Sequence, residues 1–242
     1  MTNRFIGQSY LLAIRAAMRA QTKLTILGEE NLPDPGSGLL IVSNHFSIFE
    51  IPLLYTKLPY NPSFFATFEL LNNPVFGPGI KAHRDRLIFI NRSVVDRKSL
   101  KEGVNRLKSD DWLVIFPEGA ITRNVVDTAA RGEPTADLPF DLTRPEPVEL
   151  FPARSGSAWM AVQAKVPVIP IAFEGTENII NGLKKISRTE VKMHIGKPME
   201  PFEIPAGVRG QEKKTLLDQF GHKMMQGVAD LLPPKYRGDL YR

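Results

Sequence analysis

The chain has 242 residues, 43% hydrophobic and 24% charged, enough to bury a core as one large α/β domain or two small ones. It contains no cysteine, which excludes disulfides, thiolate catalysis and sulfur-ligated metal sites. A formal net charge of +5 suits an anionic membrane, a phosphorylated substrate or nucleic acid without choosing among them.

Residues 4–20 have the pattern of a helix with two unlike faces. Phe5, Ile6, Tyr10, Leu11, Ile14 and Met18 recur at helical spacing, and Arg4, Arg15, Arg19 and Lys23 add positive charge. Two readings stand: a helix lying in the membrane interface, or one packed on the core. No window reaches the roughly 18 to 20 uninterrupted apolar residues of a spanning helix. The basic start, apolar stretch and cleavage site of a secretory signal are missing too, so the chain is expected on the cytoplasmic side. The organisation expected is an N-terminal amphipathic segment, 1–24, and one domain, 25–242.

After the turn-rich stretch 31–38 comes Leu39-Leu40-Ile41-Val42, a short apolar run that reads as a buried strand. Similar runs follow at 87–90, 112–116 and 168–173, with a further strand at 191–195. Between them Leu100, Val104 and Leu107 mark one helix and 156–165 another, while Leu217, Phe220, Met224, Val228 and Leu231 line a long terminal helix. Buried strands alternating with helices give an α/β fold, a mainly parallel sheet flanked by helices. Residues 124–152 break the rhythm with five prolines and little periodicity. They are expected to form a long loop insert, lid-like or disordered.

Chemistry gathers where those strands end, the usual place for a site in such sheets. The first is followed by Ser43-Asn44-His45-Phe46-Ser47-Ile48-Phe49-Glu50. An imidazole can take a proton near neutral pH, and a nearby carboxylate fixes its tautomer. Five residues on one helix turn through about 500°, leaving the side chains about 140° apart. His45 and Glu50 therefore meet only if His45 sits in the turn and Glu50 on the helix that follows. Arg92 and Ser93 end the next run and offer a guanidinium fork and a hydroxyl to a phosphate. Phe116-Pro117-Glu118-Gly119 ends the third, with Glu118 at the same edge and Gly119 allowing close approach. Arg154-Ser155-Gly156-Ser157 opens a helix whose free N–H groups favour an anion. His83, His194 and His222 are scattered without ligand spacing, so no metal site is expected. Basic runs interleaved with aromatics are absent, which argues against nucleic acid.

The order of these blocks resembles the PlsC-like glycerolipid acyltransferases, over residues 28 to 175. The resemblance implies that His45 is the base that deprotonates an acceptor hydroxyl, with Glu50 in place of the family's usual Asp. It implies that Arg92 binds an acceptor phosphate, and that Glu118 and Gly119 help hold the acceptor. It also implies direct attack on an acyl thioester of coenzyme A or acyl carrier protein, with no bound cofactor. The expected acceptor is a lysophospholipid, above all 1-acylglycerol-3-phosphate, at the cytoplasmic membrane face, where the chain would be peripheral. Where the family has Thr-Arg-Ser after Phe-Pro-Glu-Gly, this chain has Ala120-Ile121-Thr122-Arg123, which moves Arg123 two places along. Another lyso-acceptor, a glycolipid or aminolipid, or a lipid-binding relative without turnover are the alternatives.

Overall fold

The computed structural model describes residues 2–74, 76–90, 97–131 and 141–241, with side chains from Gly7 onward except at 129 and 130. Seven strands form one sheet: β1 (Thr22–Leu27), β2 (Leu39–Ser43), β3 (Ser63–Thr67), β4 (Leu87–Ile90), β5 (Trp112–Ile115), β6 (Val168–Glu174) and β7 (Thr189–Ile195). Their order is β1-β7-β6-β2-β5-β3-β4, parallel throughout except that β7 runs antiparallel to β6. The eight helices of the described residues are α1 (Thr2–Gln21), α2 (Glu50–Lys57), α3 (Gly77–Ala82), α4 (Arg97–Lys108), α5 (Arg123–Ala130), α6 (Ser155–Ala164), α7 (Ile179–Lys184) and α8 (Gly210–Asp230).

The continuous apolar run of β2 follows from its central place, because a strand covered on both faces needs apolar residues at every position. Leu40 and Val42 enter the core under α4, α6 and α8, while Leu39 and Ile41 enter the opposite core with Met18 of α1 and Leu53 and Leu54 of α2. β1 and β3 were not among the expected strands. β1 is an edge strand whose burial alternates, so Lys23 and Thr25 break up its apolar pattern. β3 is five residues long and polar at both ends.

The N-terminal helix packs on the domain: Met18 is buried and Ile14 joins the core, and His83 Nε2 lies 3.2 Å from the Gly7 carbonyl oxygen. Leu12 on its other side is exposed, and the Arg4, Phe5 and Ile6 side chains lie outside the described ones. The 124–152 segment is not a continuous loop. Its start is α5, its last part buries Arg144, Val148, Leu150 and Phe151, and 132–140 lie outside the described residues. Apolar residues spaced without period give no sign of that burial, because the described chain there forms no helix or strand.

Candidate active site

His45 stands just beyond the end of β2, in a turn that leads into α2. Asn44 fastens that strand end to β6, since its amide donates to the Phe173 carbonyl (3.0 Å) and accepts from the Phe173 N–H (2.8 Å). Glu50 is the first residue of α2, the arrangement that the five-residue spacing requires. Its Oε2 is 2.9 Å from His45 Nδ1. Its Oε1 accepts from the N–H groups of Phe46 and Ser47, each at 2.9 Å, and from the Thr176 hydroxyl at 2.7 Å. The turn thus folds around the carboxylate, which has no exposed surface. Burial pushes the Glu50 carboxyl well up from its ordinary value, opposed by the hydrogen bonds from Thr176 and Phe46 and by the Arg144 charge. The His45 ring stacks on Phe116, centroids 4.0 Å apart, so its plane is fixed by both neighbours.

Glu118 faces inward. It is fully buried, and neither oxygen faces a cavity wall: Oε1 accepts from the His45 N–H (2.8 Å), and Oε2 accepts from Arg144 Nη1 (2.7 Å) and the Phe151 N–H (2.8 Å). Arg144 also donates to the backbone carbonyls of His45 (2.9 Å) and Ile121 (2.7 Å) and to that of Glu149. This buried pair fastens the backbone of the His45 turn to the segment after β5. Asn44, Arg144 and Thr176 join the site through the fold. Asn44 was legible as the polar residue at a buried strand end, whereas nothing in the proline-rich insert marked Arg144.

A cavity of about 770 Å³ opens beside His45. Its apolar walls come from Phe65 of β3, Ile90 at the end of β4, Leu100 of α4 and Trp159 of α6. Its polar groups include His45, Arg154, Ser155 and Ser157. Arg154 precedes α6 and lies across Gly119. With φ at +83° Gly119 is left-handed, and a Cβ there would meet Arg154 Nε at 2.7 Å. Gly119 is thus needed both for its turn and for the guanidinium above it. The first turn of α6 shares the same wall, so its backbone N–H groups and Arg154 favour an anion together. Arg123 does not reach the cavity. It is exposed at the start of α5, with its guanidinium 4.6 Å from the centre of the Phe151 ring. Arg92 and Ser93 lie outside the described residues.

The other histidines are dispersed. His83 sits between Tyr55 and Gly7, His194 is 3.8 Å from Glu174, and His222 stacks on Tyr241. Among the described residues no three His, Asp or Glu side chains group to hold a metal ion.

The model of the acyltransferase family matches residues 23–174, a span that contains the His45 turn, Glu118, Gly119 and Arg154. The chain belongs to this family. It is 23% identical over 193 residues to the 1-acyl-sn-glycerol-3-phosphate acyltransferase of Bacillus subtilis, covering 79% of this chain and 81% of that one. It is 29% identical over 152 residues to the human 1-acyl-sn-glycerol-3-phosphate acyltransferase beta, covering 60% and 45%. A Chlamydomonas reinhardtii protein of the same type is 25% identical over 221 residues, covering 89% and 55%. The chain thus spans about half the length of the human and algal relatives. The fold is similar to that of the 1-acyl-sn-glycerophosphate acyltransferase PlsC from Thermotoga maritima, with a TM-score of 0.59 and 22% identity over 95% of this chain and 80% of that one. The chain is therefore an acyltransferase, and His45 sits where an α/β sheet places its chemistry.

Proposed function

We propose that this enzyme transfers a fatty acyl group from a thioester, of coenzyme A or acyl carrier protein, to the hydroxyl of a lysophospholipid. The acceptor of choice is 1-acylglycerol-3-phosphate, and the product phosphatidic acid. The observation that carries this reading is the 2.9 Å approach of Glu50 to His45 Nδ1 at the wall of the large cavity. A buried carboxylate at Nδ1 keeps the ring proton there, which leaves Nε2 as the base.

The steps balance without a covalent enzyme intermediate. Nε2 takes the proton of the acceptor hydroxyl as its oxygen attacks the thioester carbonyl carbon. A C–O bond forms and the C–S bond breaks. The departing thiolate takes the proton back from the imidazolium, which Glu50 stabilises while it exists. Arg154 and the first turn of α6 hold the acceptor phosphate, and the apolar walls hold acyl chain. Glu118 acts through the backbone of the turn and does not touch substrate. Arg92 and Ser93 remain proposed phosphate ligands on sequence grounds, and Arg154 on the cavity wall adds a cation, whereas Arg123 lies against Phe151.

No described helix is long and apolar enough to cross a membrane, and a lipid acceptor calls for peripheral contact, here at the cytoplasmic face. Acyl transfer from radiolabelled acyl-CoA, and from acyl carrier protein loaded with the same chain, to a panel of lyso-acceptors tests the proposal. Transfer to 1-acylglycerol-3-phosphate above all others supports it. Preference for an acceptor without phosphate contradicts the assignment of the acceptor, and no transfer to any acceptor from either donor contradicts the reaction.

A further inference from the structure

Helix α7 ends in a way that its sequence makes unfavourable. The Ile186 N–H donates to the Leu183 carbonyl (3.2 Å), and the Ser187 N–H to the Gly182 carbonyl (3.0 Å). These are the two bonds of a Schellman ending, whose residue after the cap is left-handed and is usually glycine or asparagine. Here that residue is Ile186, with φ at +52°. A β-branched side chain crowds the backbone in that region, which makes it a true outlier. Ile186 is also the most exposed large hydrophobic residue described, at 93%. It gains no burial inside the fold to offset the strain. A strained residue that the interior does not use points to a role outside it.

Its surroundings state the chemistry. Leu183 beside it is 41% exposed, and Lys184, Lys185 and Arg188 are exposed. No acidic residue lies between Asn178 and Thr189. Lys184 and Lys185 suit a helix C-terminus by themselves, but that account does not reach Ile186. Arg188 donates to the carbonyls of Arg19 (3.1 Å) and Thr22 (2.7 Å), which ties this tip to the end of α1. Arg15 and Arg19 of α1 are exposed as well. The nearest acid in sequence, Glu190, lies 3.9 Å from Lys23.

Topology sets the tip on the side of the active site. β6 is parallel to β2, so both end at the edge that carries His45. α7 leaves that edge, and β7 returns from it antiparallel to β6. β1 pairs with β7 in parallel from Thr22↔Thr189, which brings the end of α1 to the same edge.

We infer that the 183–188 tip, with Ile186 as an inserted apolar point and Lys184, Lys185 and Arg188 around it, docks the enzyme on an anionic phospholipid bilayer with the His45 edge facing the lipid. An apolar point ringed by basic residues matches the acyl boundary below anionic headgroups. This rests on the reading of the acceptor as a membrane lipid.

The test is co-sedimentation of the full chain with vesicles of phosphatidylglycerol and phosphatidylcholine, against vesicles of phosphatidylcholine alone. Wild type binds the anionic vesicles, and salt weakens that binding. Ile186→Asn binds about ten-fold or more weakly, as loss of one buried apolar side chain predicts. Its Tm is equal or higher, because asparagine tolerates the left-handed backbone. Lys184→Glu with Lys185→Glu removes the preference for anionic vesicles. Wild-type affinity in the Ile186→Asn variant, or no vesicle binding by wild type, overturns the inference. Transfer to a water-soluble, short-chain lyso-acceptor separates this from the proposed function. Ile186→Asn leaves that rate unchanged, whereas loss of transfer in wild type with Ile186-dependent binding refutes the function alone.

Discussion

Glu50 and Glu118 are both fully buried and both grip the His45 turn, yet their electrical settings differ. Glu118 meets a guanidinium, Arg144, at 2.7 Å and two backbone N–H groups. Its charge is matched inside the fold, and its output is a fixed backbone. Glu50 meets neutral donors and the imidazole of His45. Its charge is not matched by a permanent cation in direct contact, so a proton arriving on His45 is what completes the pair. Two identical side chains, each with no exposure, thus serve architecture in one case and proton transfer in the other. The partner decides, not the burial.

Substitutions can break that comparison, starting with the largest effect. His45→Ala removes the base and lowers the acyl-transfer rate by about 10² to 10⁴ or more, with the melting transition retained, as calorimetry and radiolabel transfer read side by side. Glu50→Gln keeps acceptors for Phe46, Ser47 and Thr176 but turns a donor toward Nδ1, which moves the ring proton to Nε2. It should lose about 10³-fold in kcat with little change in acceptor KM. Equal KM and kcat losses would point to a collapsed site instead.

Arg144→Met should affect stability more than chemistry. Removing one partner of a buried pair costs about 3 to 5 kcal/mol, and the double variant Arg144→Met with Glu118→Gln should recover much of it in denaturant unfolding. If the double variant were no more stable than Arg144→Met, the pair would not be the clamp described here. Arg154→Met should raise the acceptor KM by about ten-fold, as a lost charge-assisted hydrogen bond predicts, and leave kcat nearly unchanged.

The smallest effect is a pH slope. Burial raises the folded-state titration of Glu50 above its unfolded value, so between the two titrations the folded chain binds more protons than the unfolded one. Wild type therefore loses stability as pH climbs from the ordinary carboxylate range, near about 4.3, through the Glu50 titration in the folded state. Glu50→Gln lacks that loss. Its Tm measured relative to wild type should rise with pH across that window, and a falling difference would contradict the direction.

Much of this was legible in the sequence, for physical reasons. β2 and β6 are apolar at nearly every position because both faces are covered, and a run of that kind reads as a buried strand. The His45–Glu50 spacing could be solved by helix geometry alone. What escaped depended on partners far along the chain. Arg144 is 99 residues from His45 in a proline-rich stretch with no period, and only the folded chain shows that its guanidinium is buried. The strand-end position of Glu118 gives the correct edge, but a strand end does not say which side of the edge a side chain faces. β1 was hidden by the lysine and threonine that an edge strand tolerates.

The central claim is that Glu50 holds the His45 proton on Nδ1 and frees Nε2 as base. The most direct measurement is ¹⁵N–¹H correlation NMR of the histidine rings in wild type and Glu50→Gln, above the pH of imidazole protonation. The His45 signals, assigned through His45→Ala, should show the Nδ1–H tautomer in wild type and the Nε2–H tautomer in the variant. A wild-type ring protonated at Nε2, or a tautomer that Glu50→Gln leaves unchanged, would contradict it.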